Sequence, residues 1–306
     1  MNTALRLLLA ALVATAGACG SAEPPRAPVD TVVLIASDGF SADVLRRHPG
    51  AFPHIEALAA RGASTLEARS VLPSSSAVNW ATLLMGTGPE MHGFTEWGSR
   101  TPEAEPVATN EYGLFPGIFG EVRRQRPEAV TGVFYSWGGI GYLYEQETVT
   151  RNFHSGDDDR LLCSEACRFL ADNRPTLAFV CFAEPDGAGH THGWESEEYL
   201  AACRTIDSLT GCLIACIDRT YDPARTAILF TADHGGIGTG HGGKTMSEML
   251  VPYILVAPGI PAGSRFDREV MRYDNAPTVA ELLGLDAPDL WRGKSVLRPR
   301  PSAPRP

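Results

Sequence analysis

Four short segments, far apart in the chain, contain side chains of the types that bind metal ions. They are residues 37–39, 72–79, 185–190 and 231–241. Together they supply three aspartates, three histidines and a serine: Asp38, Ser76, Asp186, His190, Asp233, His234 and His241. Zinc binds carboxylate oxygen and imidazole nitrogen, and two metal ions about 4 Å apart can flank a reacting hydroxyl group. The set predicts a pair of zinc ions beside a serine nucleophile.

The candidate ligands lie where buried strands are predicted to end. Apolar runs at 31–36, 176–182 and 226–231 are each followed by an aspartate-containing segment. Stretches with helical periodicity alternate with these runs, which is typical of an α/β fold. Open α/β sheets bind their ligands beyond the carboxyl ends of the strands. The predicted topology therefore brings three of the four segments to one edge.

The composition is that of an ordinary globular protein. The chain has 306 residues, of which 44% are hydrophobic and 20% charged, enough for a large core. A formal net charge of −10 without a compensating basic stretch argues against binding a nucleic-acid duplex. We predict one catalytic domain over residues 29–298 and a small-molecule substrate.

The first residues have the pattern of an export signal. Arg6 precedes an apolar run at 7–14, and small residues follow at 16–18. We predict a signal peptide over 1–18 and a linker over 19–28, with Cys19 as the lipid anchor of a bacterial lipoprotein; plain secretion is the alternative. Either route exports the protein, to the periplasm or to a membrane surface. The proline-rich end, 299–306, is predicted to be a disordered tail.

Six further cysteines leave several interpretations open. An exported protein can form disulfides, but six cysteines permit many pairings and the sequence selects none. Cys163 and Cys167, and likewise Cys212 and Cys216, are four residues apart on predicted helices, so each pair lies on one helical face. Disulfides, a weaker cysteine metal site and small buried side chains all remain possible interpretations.

The order of the metal-binding residues resembles that of the alkaline phosphatase superfamily. The segment at 73–79 is similar to the nucleophile motif of its nucleotide pyrophosphatase/phosphodiesterase branch. Pro73, Ser76 and Asn79 match the proline, the nucleophile and the asparagine, with serine in place of threonine. Val78 and Trp80 depart from that pattern. The resemblance implies an alkaline-phosphatase-like three-layer α/β fold, with a central, mostly parallel sheet flanked by helices.

The resemblance also implies a role for each residue of the site. One metal ion would be held by Asp38, Ser76, Asp233 and His234, and the other by Asp186, His190 and His241. Ser76 would form a phosphoseryl intermediate, Asn79 would donate a hydrogen bond to a phosphoryl oxygen, and Lys244 would contact the transferred group. Ser76 as a helix N-cap and Lys244 as a surface lysine are the alternatives.

The function implied is that of an exported, two-metal hydrolase acting on phosphodiester or nucleotide pyrophosphate bonds. Phosphomonoesters, sulfate esters and phosphonates are alternatives within the same superfamily. A sulfatase is disfavoured, because the Cys/Ser-x-Pro-x-Arg motif is absent around residues 72–80. A surface lipoprotein that binds a ligand without turnover is an alternative of another class.

Overall fold

The computed structural model describes residues 27–298. The predicted signal peptide, the predicted anchor at Cys19 and the predicted tail at 299–306 lie outside the described residues. The strands form one eight-stranded sheet in the order β4-β3-β5-β1-β6-β7-β2-β8. Their bounds are β1 Thr31–Ser37, β2 Ala63–Arg69, β3 Thr131–Tyr135, β4 Arg151–His154, β5 Leu177–Phe182, β6 Thr226–Ala232, β7 Leu250–Val256 and β8 Ser264–Arg265.

The centre of the sheet is parallel, as predicted. Strand β1 lies between β5 and β6 and is parallel to both, and β3 continues the parallel order between β5 and β4. Only β7 runs against its neighbours β6 and β2 within the described sheet. Every residue of β1, β5 and β6 is buried, which explains why these strands read as continuous apolar runs in the sequence.

Helices connect the strands and cover the sheet. Their bounds are α1 Ala42–Arg47, α2 Pro53–Arg61, α3 Ser76–Met85, α4 Pro89–His92, α5 Ile118–Gln125, α6 Asp159–Asn173, α7 Asp186–His192, α8 Glu197–Thr220, α9 Met246–Met249 and α10 Asn275–Leu283. By length and composition α8 could cross a membrane, but 61% of its most apolar window is buried inside the fold. It is therefore explained as a core helix.

The helical cysteine pairs meet where α6 packs against α8. The Sγ atom of Cys216 lies 3.4 Å from the carbonyl oxygen of Cys167. The Sγ atom of Cys163 lies 3.5 Å from the carbonyl oxygen of Leu209. All six described cysteines are free thiols in this structure. The two predicted helical faces thus pack against each other.

Candidate metal centre

Three neighbouring strands deliver the three aspartates to one edge of the sheet. Ser37, the last residue of β1, lies beside Phe182 at the end of β5 and Ala232 at the end of β6. Asp38 and Asp233 follow their strands directly, and Asp186 begins α7 a few residues after β5. The register of the parallel strands therefore brings the carboxylates together, as the sequence predicted.

Backbone carbonyls orient all three histidine rings. The Nδ1 atoms of His190, His234 and His241 lie 3.0, 2.8 and 3.0 Å from the carbonyl oxygens of Thr239, Gly235 and Ser74. Because a carbonyl oxygen only accepts, each Nδ1 carries the proton. Each Nε2 is then left with a lone pair that points into the site, the tautomer that metal-binding histidines use.

The free ring nitrogens face carboxylates and each other. His190 Nε2 lies 3.4 Å from Asp186 Oδ2 and 3.1 Å from His241 Nε2. His234 Nε2 lies 3.4 Å from Asp38 Oδ1 and 3.2 Å from Asp233 Oδ2. Two compact groups result: Asp186 with His190 and His241, and Asp38 with Asp186 and His234. Asp186 belongs to both groups and therefore lies between them, whereas the sequence predicted it in one group only.

The structure places Ser76 beside the second group. Its Oγ atom lies 3.3 Å from Asp38 Oδ1 and 3.1 Å from His234 Nε2. Ser76 is the first residue of α3, and the N-cap position belongs to Ser75. The alternative that Ser76 is the N-cap is therefore wrong. The hydroxyl lies at the end of the helix that carries partial positive charge.

Crowded negative charge dominates the electrostatics of the site. Burial, together with the charges of Asp233 and Asp186, raises the pKa of Asp38 well above its usual range. Burial raises the pKa of Asp233 to about 7 and raises that of Asp186 as well. Burial, together with the neighbouring histidines, lowers the pKa of His241 to about 3. Burial therefore disfavours the ionised form that the carboxylates need to bind a metal ion, and it keeps His241 neutral with its lone pair free.

These residues fit a divalent cation. Asp186 Oδ1 and Asp233 Oδ2 are buried carboxylate oxygens without a hydrogen-bond partner, and such groups are costly unless something compensates them. Lone pairs at 3.1 Å on His190 and His241 repel each other unless a proton or a cation lies between them. Carboxylate oxygens and neutral imidazoles are the ligands that Zn²⁺ takes.

Gly39 lets two of the metal-binding segments approach closely. Its φ of +67° lies in the left-handed region, and a Cβ atom there would come within 2.9 Å of Asp186. The backbone N–H of Gly39 also donates to Asp233 Oδ1 at 3.1 Å. A glycine after Asp38 is therefore required by this packing and is not only a turn former.

A large cavity opens over these groups. Its volume is about 710 Å³, far more than one phosphoryl group needs. Its lining includes Asp38, Ser76, Asp186, His190 and His241. The remaining wall adds aromatic and acidic side chains, which are Glu96, Trp97, Trp137, Asp157 and Glu184. The candidate nucleophile and four of the six candidate Asp and His ligands therefore line a substrate-sized cavity.

The sequence comparison decides the family. Residues 32–247 match the model of the family described as Type I phosphodiesterase / nucleotide pyrophosphatase. That stretch contains all four metal-binding segments. The chain belongs to this family.

This chain also matches single proteins, over part of its length. It is 36% identical over 140 residues to a 2,3-bisphosphoglycerate-independent phosphoglycerate mutase from Syntrophotalea carbinolica, covering 42% of this chain and 25% of the mutase. It is 25% identical over 233 residues to ectonucleotide pyrophosphatase/phosphodiesterase family member 1 of Mus musculus, covering 71% of this chain and 26% of that protein. The chain thus spans about a quarter of the length of these curated relatives.

A solved structure confirms the fold. The murine ectonucleotide pyrophosphatase/phosphodiesterase 5, an inactive variant in complex with AMP, superposes with a TM-score of 0.68 at 16% sequence identity. The superposition covers 84% of this chain and 96% of its counterpart. The alkaline-phosphatase-like fold predicted from the sequence is therefore confirmed.

Asn79 has a different environment from the one that the family motif implies. Its side-chain N–H groups donate to the carbonyl oxygens of Val71, Pro73 and Ser75, at 3.1–3.2 Å, and its Oδ1 accepts from the N–H of Val71 at 2.7 Å. These bonds use the whole amide, and Asn79 is fully buried. The expected hydrogen bond to a phosphoryl oxygen stays a prediction. In this structure Asn79 fixes the segment that carries Ser76.

Lys244 does not reach the cavity in this structure. It is exposed and lies outside the cavity lining. The chain turns at Gly242, where φ is +104°, and the Glu248 carboxylate then accepts hydrogen bonds from the backbone N–H groups of Gly243 and Thr245. This capping box ties 243–245 to the start of α9. The surface position is the alternative given for Lys244, and its predicted contact with the transferred group stays a prediction.

Other residues of the site were not identified as such from the sequence. Trp80 is buried and its indole N–H donates to Asp38 Oδ2 at 3.2 Å, although its position in the motif shows only a departure from the family. Asp157 and Glu184 line the cavity but belong to no motif. Asp157 has a positive φ, but nothing in the sequence around it indicates this conformation or a place in the cavity lining.

Proposed function

We propose that this protein is a metal-dependent hydrolase of phosphodiester or nucleotide pyrophosphate bonds, with Ser76 as its nucleophile. The observation that carries the proposal is the position of the Ser76 hydroxyl. It lies within 3.3 Å of Asp38 and 3.1 Å of His234, at the floor of a cavity large enough for a diester. Family membership over residues 32–247 supports the same chemistry.

Two divalent cations, most simply Zn²⁺, are the proposed cofactors. Asp38, Asp233, His234 and Ser76 would hold one, and His190 and His241 the other, with Asp186 between the two groups. When bound, such ions offset the charge of a transferred phosphoryl group and favour the ionised form of a hydroxyl ligand. The three Nδ1–H···O=C hydrogen bonds keep the histidine lone pairs directed at the ions.

The proposed reaction has two displacements at phosphorus. Ser76 Oγ bonds to phosphorus while the bond from phosphorus to the leaving alcohol oxygen breaks, and the serine proton ends on that alcohol. Water then bonds to phosphorus while the Ser76 Oγ–phosphorus bond breaks. One proton of the water restores the serine hydroxyl, and a phosphomonoester is released. The positive end of α3 faces the phosphoryl oxygens in both steps. Asn79 holds the segment 71–75, so Ser76 keeps one position throughout.

The cavity lining favours diesters over monoesters. No lysine or arginine occurs among the described residues that line it. A phosphomonoester carries a second negative charge, and enzymes that cleave monoesters commonly add a cationic side chain to bind it. A diester carries one charge and fills more of the 710 Å³ volume with its second alcohol.

Export remains part of the proposal. It rests on the charged and apolar pattern of residues 1–18 and on the small residues before Cys19. Fractionation of bacterial cells should recover the intact chain with the membranes, and the Cys19→Ala variant in the soluble exported fraction. Recovery of both forms in the cytoplasm would contradict export.

The test is a comparison of two chromogenic esters. Wild-type protein loaded with zinc or manganese should cleave bis-p-nitrophenyl phosphate faster than p-nitrophenyl phosphate. The Ser76→Ala variant should lose about 10³-fold or more of either activity, as expected for removal of a nucleophile. Ser74→Ala is the matched control, because the Ser74 hydroxyl donates to the Gly243 carbonyl instead of facing Asp38. Equal activity of wild type and Ser76→Ala would contradict the proposal.

A further inference from the structure

The helices α6 and α8 carry four cysteines in the region where they pack together. Cys163 and Cys167 lie one turn apart on α6, and Cys212 and Cys216 lie one turn apart on α8. None of the four lines the cavity over the candidate metal centre. The proposed hydrolysis therefore gives these thiols no role, and their arrangement requires another explanation.

Cys167 and Cys216 are the two thiols that approach each other across the helix contact. Cys216 Sγ lies 3.4 Å from the carbonyl oxygen of Cys167, and Cys167 Sγ lies 3.9 Å from that of Cys212. A helical carbonyl oxygen and the side chain four residues later lie on one face, a turn apart. The Cys167 sulfur therefore reaches the face of α8 that carries Cys216, and the two thiols are near enough to interact directly.

The other two cysteines are less well placed. Cys163 Sγ lies 3.5 Å from the carbonyl oxygen of Leu209, about two turns before Cys216 along α8. Cys212 is exposed, whereas Cys216 is buried. Among the described residues no three thiol sulfurs lie within 4.8 Å of one another. This geometry favours a pair of reacting thiols over a cysteine metal site.

The surroundings of the pair disfavour a rapid reaction. The neighbouring Cys163 thiol, together with burial, raises the pKa of the Cys167 thiol, and burial raises that of Cys216. Because the thiolate is the form that attacks a disulfide, neither group reacts quickly with an oxidant. Cys167 is only half-buried, however, so a reagent can reach it from solvent. The pair therefore suits a bond formed once after folding, and not a fast redox signal.

From this arrangement we propose that Cys167 and Cys216 form a disulfide that ties α6 to α8. The oxidant is another disulfide, that of a thiol oxidoreductase or of a low-molecular-mass thiol, such as an exported chain meets. Cys167 attacks one sulfur of that disulfide and releases the first thiol. Cys216 then attacks Cys167 Sγ and releases the second thiol. The two cysteines lose two protons and two electrons, which the oxidant takes up.

The bridge would close a loop around part of the candidate metal centre. Its two ends lie 49 positions apart, and the stretch between them contains β5, Asp186 and His190. At the start of α6, Asp159 accepts the N–H groups of Ala183 and Glu184 at 2.9 and 3.1 Å. The helix α8 begins shortly after α7 ends. Both joined helices therefore flank the segment that carries two ligands, and closing this loop restricts the unfolded chain and stabilises the fold.

The test maps the bridge in the purified full chain. Protein is incubated with reduced and oxidised glutathione until its thiol count is constant, then unfolded in iodoacetamide, digested and analysed by mass spectrometry. We expect one peptide pair joined through Cys167 and Cys216, which dithiothreitol separates. Calorimetry should show a Tm about 5 °C or more higher for the oxidised form than for the reduced form.

Variants separate the bridge from other effects of oxidation. Cys212→Ser is the matched control, since it removes an exposed thiol one turn away on the same helix, and it should keep both the joined peptides and the rise in Tm. Cys216→Ser should lose both. The peptide map is made on the wild-type chain, so it remains decisive if Cys216→Ser does not fold.

Three results would overturn the inference. They are a wild-type chain that keeps both thiols free in the glutathione buffer, a bridge that joins Cys167 to Cys163 or Cys212 instead, and equal melting of the bridged and reduced forms. None of these measurements depends on turnover. A chain that hydrolyses no ester would therefore contradict the proposed function and leave the disulfide standing.

Discussion

At the scale of single residues, orientation of side chains decides the chemistry more than their identity does. Each candidate histidine is fixed by a backbone carbonyl, and Asp38 is fixed by Trp80, whose indole N–H donates to Oδ2 at 3.2 Å. Hydrogen bonds of this kind commonly change metal affinity about 10–100-fold when they are removed. Tryptophan at position 80, which departs from the family motif, therefore has a structural explanation: it orients the candidate metal ligand Asp38.

We predict that Trp80→Phe weakens metal binding about tenfold, because the hydrogen bond to Asp38 is lost. The smaller ring also leaves a cavity, which costs stability. Titration of the apoprotein with Zn²⁺, followed by calorimetry, measures the affinity. Trp291→Phe is the control, since it also removes a buried indole hydrogen bond, here to the Pro116 carbonyl. An equal loss of affinity in both variants would show that Trp80 has no specific role.

The sequence predicted which residues meet but not how each is used. Asp38, Asp186 and Asp233 could be predicted because each follows an apolar run that the sequence identifies as a buried strand. Asn79 and Lys244 were assigned by motif, and the motif carries no information on competing partners. Three carbonyls use the amide of Asn79, and a capping box directs Lys244 outward. Such local competition is decided only when the backbone is in place.

At the scale of elements, the segment before α3 is stabilised by one buried side chain. Asn79 lies one turn into α3 and makes four hydrogen bonds to Val71, Pro73 and Ser75. The helix and the loop that precedes it are thereby joined into one unit that positions Ser76. Sequence periodicity predicted the helix, whereas the conformation of the loop depends on this amide.

We predict that Asn79→Ala lowers the free energy of unfolding by about 2–4 kcal/mol, because several buried carbonyls lose their donor. The turnover rate should fall as well, since Ser76 is no longer held in place. Urea denaturation and diester hydrolysis measure the two effects. Asn275→Ala, which removes a single buried hydrogen bond to the Leu83 carbonyl, should cost less stability and leave turnover unchanged. Wild-type stability of Asn79→Ala would refute the role of the amide.

The edges of the sheet were less visible in the sequence than its centre. The central strands are buried on both faces and read as continuous apolar runs. Strand β2 mixes buried, half-buried and exposed residues, and β4 is mostly exposed. Neither strand produces such a run, and neither was predicted. Strand β8 has only two residues. Burial on both faces is therefore what made part of the sheet predictable.

At the scale of the whole molecule, folding and metal binding are expected to be coupled. The fold brings Asp38, Asp186 and Asp233 together in a buried site, where burial raises all three pKa values. A bound cation would compensate these charges in the native state and would have no equivalent site in the unfolded chain. Bound metal should therefore contribute to stability as well as to activity.

Metal removal should accordingly reduce both activity and thermal stability. We predict that dialysis against a chelator abolishes diester hydrolysis and lowers the Tm by several degrees, and that Zn²⁺ restores both. Differential scanning calorimetry of the two forms makes the measurement, with Asp186→Asn as the comparison. That variant should show a smaller change of Tm on chelation, because one carboxylate between the two groups is gone. Identical melting of the wild type with and without metal would contradict the coupling.

The most direct test of the account is to trap the covalent intermediate on the serine. Metal-loaded protein should be mixed with bis-p-nitrophenyl phosphate, quenched in acid within one turnover and digested for mass spectrometry. We predict a p-nitrophenyl phosphoryl adduct on Ser76, absent from Ser76→Ala and retained in Ser74→Ala and Ser75→Ala. An adduct on Ser74 or Ser75, or rapid hydrolysis by Ser76→Ala, would contradict the assignment of the nucleophile.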